Sequence, residues 1–404
     1  MRGMGENMKK IKLFLSLTLI AVLLLSGCSK AGKNEETSSK IEPKATEAAA
    51  TAAATDSTPT EAAATEAAAE TGAKETSATD AGTKADPIKI LYGAGLCGIP
   101  IHIAKQLQFF EAEGLKEGVD YTYVTSSTSG VEMLSTKQAD VSFGLVAAML
   151  APLDNGLEAK TVLGVHTGCI QILAGKDSGI SDVKGLKSKK IGIEALASSP
   201  HIVTQRALAS EGIGSTGDNM QVEFVVFPKA DLPIALKEGK VDAIAIGDPQ
   251  ASILVKDGDG ISLFNSATSD LLKDEYCCAL WARNEIIDKQ PERLAKIVTA
   301  IQKASVWIDQ NKDLAAEIQL DNEWVVGELD VDQHTLKDYK YLPSVSGVQA
   351  ALARNIKDMK DLGLIRKDTD ADTLAKNSFA ELEGVADEIT GTVTPPIDPA
   401  SQLK

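Results

Sequence analysis

The chain has 404 residues, 44% of them hydrophobic, with 41 Lys and Arg against 57 Asp and Glu and a formal charge of −16. That balance argues against a nucleic-acid partner, whose affinity comes from basic residues neutralising phosphates, and says little about any single pocket. The length accommodates a low-complexity region plus one large or two small domains.

The first residues address the compartment. Arg2, Lys9, Lys10 and Lys12 precede an apolar run over residues 13–25, and small residues Ser26 and Gly27 lead to Cys28. A basic start, a short apolar run and small residues at a cleavage point make an export signal. The run is shorter than the ~20 apolar residues of a membrane-spanning helix. The order Leu25-Ser26-Gly27-Cys28 resembles the lipobox of bacterial lipoproteins. It implies a signal peptide over 1–27, a lipidated Cys28 and a protein anchored to the outer face of the cell membrane. Residues 28–86 are almost entirely Ala, Thr, Glu, Ser and Lys without an aromatic residue. Such a stretch buries too little apolar surface to offset the entropy of ordering it, and is expected to be a tether of roughly 40 Å reach.

From Pro87 the pattern alternates. Strands are predicted over 88–92, 121–124, 141–145 and 161–165, with intervening helices: one with Pro100 near its first position, one opened by a cluster of capping residues at 126–130, and one over 147–153. In the first of these, Ile103, Leu107 and Phe110 share a face. A second series follows, with strands over 190–193, 222–227 and 241–246 and helices from about Ser199 and Ala230. Alternating strands and helices argue for an α/β fold with parallel sheets covered on both faces. The apolar segments 170–174 and 277–282 read as connectors between the series. The mostly helical region 291–385 is expected to complete the first lobe. The expected division is lobe 1 over 87–174 plus 278–390, lobe 2 over 175–277 and a flexible tail over 391–404. Two lobes joined by two chain crossings suit hinge closure around a ligand.

Four segments carry a family resemblance: the helix Ile101 to Leu115, the turn and strand Gln138 to Gly144, the pattern Leu186 to Gly212, and Gly239 to Ile244 leading to Asp248-Pro249. In this order they resemble the nitrate, taurine, alkanesulfonate and pyrimidine-precursor group of type II periplasmic binding proteins. The resemblance implies a two-lobe fold with the cleft between lobes. It also implies a small, often anionic solute, and an ABC permease and its ATPase as partners. The loop Leu96-Cys97-Gly98-Ile99 and the segment His166 to Gln171 depart from the family pattern, so the solute's identity does not carry over.

In open α/β sheets ligands sit beyond the carboxyl ends of the strands. Those positions here are Cys97, Gly98, Ser127, Thr128, Ser129, Gly130, Val146, Ala147, His166 and Gln171 in lobe 1. In lobe 2 they are Ser198, Ser199, His201, Lys229, Asp248 and Pro249. The two serine-rich loops place hydroxyls and free N–H groups at helix starts, which suits an oxoanion; ordinary N-capping explains them equally. His166 and His201 read as ligand contacts or as structural histidines, Lys229 as a ligand or a solvated surface residue, and Asp248 as a ligand acceptor or a helix cap. Trp281 either packs at the hinge or walls the cleft. The scarcity of charge points to a small neutral, zwitterionic or weakly anionic solute.

Besides Cys28, the cysteines are Cys97, Cys169, Cys277 and Cys278, with no Cys-x-x-Cys. This is neither a disulfide framework nor a zinc signature, and no metal or cofactor is expected. One alternative has these cysteines converging with His166 on a soft metal or thiophilic ligand; the other has them as small buried hydrophobes. No nucleophile elbow or phosphate loop stands out. The expected protein is therefore a monomeric receptor of an ABC importer, not an enzyme, binding a sulfonate, nitrate-like or related solute. The alternatives are a pyrimidine-precursor ligand, an enzyme of the pyrimidine-precursor synthase type, or a sensor lobe.

Overall fold

The computed structural model describes residues 85–93, 95–126 and 129–404. The expected signal peptide, Cys28, nearly all of the tether, and Ser127 with Thr128 lie outside the described residues.

The first lobe is laid down as β1 (Ile88–Tyr92), α1 (Ile99–Gln106), α2 (Phe109–Ala112), β2 (Tyr121–Thr125), α3 (Gly130–Ser135), β3 (Val141–Leu145), α4 (Val146–Asp154) and β4 (Ala159–His166). The chain then builds a second sheet through β5 (Ile170–Gly175), β6 (Lys190–Ile193), α5 (Ser199–Ser210), β7 (Glu223–Val226), α6 (Leu232–Lys237), β8 (Ala243–Gly247), α7 (Gln250–Lys256) and β9 (Gly260–Asn265). It returns with β10 (Cys278–Arg283) and six helices: α8 (Asn284–Lys289), α9 (Pro291–Gln310), α10 (Lys312–Asp321), α11 (Leu329–Asp338), α12 (Val345–Asp361) and α13 (Ala371–Asn377).

Each sheet has five strands, ordered β2-β1-β3-β10-β4 and β7-β6-β8-β5-β9. The expectation of parallel sheets needs correction. The β1, β2 and β3 neighbours are parallel, but β10 lies antiparallel between β3 and β4, and β5 lies antiparallel between β8 and β9. These two antiparallel strands are the segments read as connectors. Residues 170–174, assigned to lobe 1, are an inner strand of the second sheet. The crossings proper are 167–169 and 266–277. An apolar run of this length suits a linker or a strand buried on both faces equally well; only distant partners decide between them.

Burial follows the pleat. In β5, Ile172 and Ala174 join Leu186, Ile191, Ile193, Leu208 and Ile213 on one face of the second sheet, while Leu173 joins Leu232, Leu236, Ile244 and Leu254 on the other. Lobe 1 has a larger core running from Ile88, Ile90 and Phe110 to Trp281, Ile297 and Ile301, and a small second cluster of Leu91, Met133 and Ala139. Trp281 is wholly buried there and donates Nε1–H to the Gly144 carbonyl at 3.3 Å, so it is core rather than cleft wall. Each such side chain contributes about 1.5–3 kcal/mol on burial. The helix predicted to carry Ile103, Leu107 and Phe110 is broken at Gln108, which adopts φ 60° before α2 begins.

The tail 391–404 is not loose. Gln310 donates to the Gly391 carbonyl (2.8 Å), Asn322 to the Gln402 carbonyl (2.9 Å), and the Lys404 N–H reaches Asp321 (2.7 Å). Val393, Ile397 and Leu403 pack on the lobe 1 core. Local composition, with two adjacent prolines, cannot reveal bonds made to helices 80 residues away.

Among the described residues no helix is long and apolar enough to cross a membrane.

Candidate functional site

Three places bring expected site residues together. The first is a cavity of about 930 Å³ between the lobes. Lobe 1 offers Ser129 and Gly130 at the start of α3 and Ser142, Phe143 and Gly144 from β3; lobe 2 offers Glu194, Ser198, Ser199, His201 and Lys229. Met149, Ile202, Met359 and Leu364 give the cavity an apolar flank. Ser129 Oγ accepts from the Glu132 N–H (3.2 Å) and Ser198 Oγ from the His201 N–H (3.5 Å), so both hydroxyls are N-caps. The first turn of a helix still carries donors the helix does not use, and a positive dipole end. Gly130 has a packing reason: a Cβ there would sit 2.2 Å from Ser142 Oγ.

His201 is set structurally. Its Nδ1 accepts the Ala197 N–H (2.9 Å), which places the hydrogen of the neutral ring on Nε2, and the ring stands edge-on to Phe224 with centroids 4.4 Å apart. Burial lowers its pKa to about 4. Lys229 is exposed and has no carboxylate partner among the described residues. Val146 and Ala147 are fully buried core; their neighbours Leu145, Ala148 and Met149 face the cavity instead.

Gln171 and Asp248 form a separate cluster. Gln171 Nε2–H and Ser252 O–H donate to Asp248 Oδ1 at 3.0 and 2.8 Å, and Tyr339 O–H donates to Oδ2 at 2.9 Å. The Ser252 N–H also reaches Oδ1 (3.2 Å), so Asp248 caps α7 and ties lobe 2 to Tyr339. Burial raises its pKa to about 6, against these hydrogen bonds. Its oxygens are occupied by the protein, and it is a strut rather than a ligand contact. Pro249 follows at the N-cap of α7.

The third place is the hinge. Gly168, in the first crossing, has φ 75°, and a Cβ there would sit 2.4 Å from the Ala267 side chain of the second crossing. Ser266 Oγ accepts the N–H groups of Cys169 (3.0 Å) and Ile170 (2.9 Å), so the crossings are bonded to each other. Here Cys169 Sγ lies 3.1 Å from Cys277 Sγ and 3.9 Å from Cys278 Sγ. Ligand atoms of Cys97, His166 and Cys278 lie within 4.8 Å of one another, as do those of Cys169, Cys277 and Cys278. All four thiols are unpaired as disulfides. The convergence set out as an alternative for these residues is thus realised in the geometry. Cys97 begins beside Gly98 in a short helical turn over residues 96–98.

Hydrogen bonds from Cys169 and Cys278 hold the Cys97 thiol well below its ordinary range, and those same neighbours bring Cys277 down to about 5. Burial opposes protonation of His166, but the neighbouring Cys97 outweighs it and raises the imidazole. The imidazole lies between the rings of Phe143 and Tyr339, each with its centroid 5.6 Å away. Tyr339 and Tyr341, both buried, come from the loop after α11 and carried no signal in the sequence reading.

The model of a family described as NMT1-like matches residues 81–320, more than half of the chain. The chain belongs to the NMT1-like family. A Bacillus subtilis protein named for binding aliphatic sulfonates is 27% identical over 227 residues, 55% of this chain and 66% of that protein, so the chain spans just under two thirds of its length. Among solved structures, the alkanesulfonate-binding protein SsuA of Xanthomonas axonopodis pv. citri, bound to MOPS, superposes with a TM-score of 0.59 at 18% identity. That match covers 72% of this chain and 99% of that one. The periplasmic nitrate-binding protein NrtA of Synechocystis superposes with a TM-score of 0.62 at 15% identity, covering 73% and 86%. This NMT1-like chain therefore has the two-lobe periplasmic-binding-protein fold, and its relatives are named as binding proteins.

Proposed function

We propose that this protein is the extracytoplasmic receptor of an ABC importer, and that it closes about its two crossings on a small organic sulfonate held in the interlobe cavity. The observation that carries this reading is the composition of that cavity. A sulfonate head needs hydrogen-bond donors and positive potential, which the start of the 12-residue α5, the serine hydroxyls and Lys229 supply. An organic tail needs apolar surface, which Met149, Ile202, Met359 and Leu364 supply. Nitrate has no tail, so the apolar flank favours sulfonates over it. Glu194, opposite in sign to Lys229, suits a solute that also carries an amine. The relatives named for sulfonate binding support the same class. Expected partners are a permease and its ATPase, with the receptor acting as a monomer.

Differential scanning fluorimetry with taurine, longer alkanesulfonates, nitrate, bicarbonate and pyrimidine precursors tests it, because a solute that binds only the folded state raises Tm by mass action. A rise with sulfonates, diminished in Lys229→Ala and Ser198→Ala, is expected. A rise with nitrate or a pyrimidine precursor alone overturns the cargo class.

From the segment ending at Cys28 we further infer lipid anchoring outside the cell membrane. Fatty-acid labelling in cells should be lost in Cys28→Ala; label retained in that variant rules the inference out.

A further inference from the structure

The hinge cluster contributes nothing to the sulfonate reading, yet it gathers four cysteines and a histidine from three separate stretches of the chain. Three of the thiols and the imidazole are buried, and Cys97 is half-buried. His166 Nδ1 lies 3.2 Å from the Thr167 carbonyl, and a carbonyl oxygen only accepts, so Nδ1 carries the hydrogen and Nε2 is left with its lone pair. That Nε2 is buried and has no hydrogen-bond partner among the described residues. An orphaned acceptor in a wholly buried ring is costly unless something fills it. Histidines that ligate metals show this arrangement, with one ring N–H spent on a carbonyl and the other nitrogen free. The aromatic rings on either side of the imidazole fix its plane.

The spacings fit a metal. Sulfurs at ~2.3 Å from a tetrahedral centre are about 3.8 Å apart, and Cys169 and Cys278 are 3.9 Å apart. The 3.1 Å between Cys169 and Cys277 has to open by about 0.7 Å to reach the same geometry. A disulfide between that pair would account for two sulfurs and leave Cys97, Cys278 and the His166 lone pair unexplained. Thiolate and imidazole donors together select soft or borderline ions over hard ones.

We propose that Cys97, His166, Cys169, Cys277 and Cys278 form a binding site for a thiophilic d¹⁰ metal ion, with Cys278 common to the two ligand triads. The ion replaces thiol protons, which leave to solvent, so uptake releases protons. Because Cys169 stands at the end of one crossing and Cys277 at the end of the other, the bound ion joins the two hinge strands directly. Its place is the hinge rather than the cleft, and it is not the transported cargo.

The test uses the full chain, reduced and stripped with chelator under anaerobic conditions, with zinc(II) and cobalt(II) as probes. One equivalent of cobalt(II) should produce strong near-ultraviolet thiolate charge-transfer absorption and the visible bands of a tetrahedral site. One equivalent of zinc(II) should bleach both and raise Tm. Cys278→Ser should lose the charge-transfer absorption or weaken binding at least tenfold, with far-ultraviolet circular dichroism checking that it folds. Should that variant not fold, the wild-type titration decides alone. Absence of thiolate absorption in reduced wild-type protein overturns the proposal, as does an unchanged spectrum in folded Cys278→Ser. Protein that yields a Cys169–Cys277 disulfide and takes up no metal after reduction overturns it in favour of a redox pair.

Discussion

The two lobes use one device in two settings. In lobe 1, Asp140, just before β3, accepts the Lys89 N–H of β1 on its carboxylate (2.9 Å) and returns its own N–H to the Lys89 carbonyl (2.8 Å). In lobe 2, Asp242, just before β8, does the same with Lys190 of β6, at 2.8 and 2.9 Å. Each aspartate thus locks the register of its central parallel pair. The settings differ. Asp140 is buried, and its other oxygen meets the buried guanidinium of Arg283 at 2.7 Å. Asp242 lies near the surface, 3.4 Å from the half-exposed Lys189. A repeated local motif therefore carries different energetic weight according to what the rest of its lobe stacks over it.

The largest expected effect breaks this pairing in lobe 1. Arg283→Ala leaves the Asp140 carboxylate buried without its counter-ion and should cost about 3–5 kcal/mol. Lys189→Ala, the corresponding removal in lobe 2, should cost less than ~1 kcal/mol. Chemical denaturation of both variants measures the ratio. Equal losses would mean that burial does not distinguish the two lobes.

The contact between lobes comes next. Arg206 of α5 donates to both Glu275 oxygens (2.7 and 3.0 Å) and reaches Asp358 (2.7 Å) and Asn355 (3.2 Å) of α12. Glu275 lies in the second crossing, so a single guanidinium links lobe 2, the hinge and lobe 1. Its side chain is 5% exposed. Arg206→Met should lower stability by about 2–5 kcal/mol, as truncating a buried charge pair at an interface does. If the clip favours the closed arrangement, the same variant weakens solute affinity although Arg206 does not line the cavity. Calorimetric titration with the solute that fluorimetry selects reads this. Unchanged affinity alongside lost stability would make Arg206 a strut with no part in closure.

How much of this was legible depended on how local each signal was. The strands β1, β3, β6 and β8 and the turns holding Asp140 and Asp242 are written in short apolar runs and in motifs, and were read close to their true bounds. Two crossings were expected, but the segments read as connectors are themselves the strands β5 and β10, because their antiparallel insertion is decided by strands as far as about 140 residues away in sequence (Ala282 opposite Val141). Ser129, Ser198 and Lys229 were found as strand-end residues, and they do share a cavity. Asp248 and His166 were found by the same rule, yet tertiary contacts took them elsewhere: Asp248 to Tyr339, His166 to the thiols. Tyr339 and Tyr341 lie in a segment read only as helical, and nothing in their neighbours advertised the hinge.

A smaller effect sharpens the contrast between attraction and repulsion across the lobes. Asp332 of α11 is fully buried, and neither carboxylate oxygen has a hydrogen-bond partner among the described residues. Burial first, then the charges of Asp248, Glu328 and Asp330, raise its pKa to about 7. Its unfolded value is near 3.9, so the folded state holds the extra proton between these limits. The associated stability is therefore complete below pH 4 and lost as pH rises through 7. Asp332→Asn should raise Tm by a few degrees at pH 8 and have little effect at pH 4. The wild-type profile alone is a poor guide, because His102 and His201, lowered to about 4 by burial, lose stability in the opposite direction as pH falls from 6.5. The difference between variant and wild type at each pH isolates Asp332. A difference that is constant with pH would mean that its carboxylate is ionised throughout.

The smallest effect concerns the cleft itself. His201 lines the cavity and belongs to the residue type that ordinarily titrates near neutrality, so a positively charged His201 would be an obvious recruiter of sulfonate at mild acidity. The structure argues otherwise: Nδ1 is already engaged as an acceptor of the Ala197 N–H, and burial keeps the ring neutral down to about pH 4. Protonating Nδ1 would cost that bond. Sulfonates stay ionised over the same range, so affinity should change less than about twofold between pH 5.5 and 8, within what a fraction of one hydrogen bond represents. Binding that strengthens tenfold on acidification, and loses that dependence in His201→Asn, would assign lobe 2 a charged histidine and shift the source of positive potential from α5 and Lys229 to the imidazole.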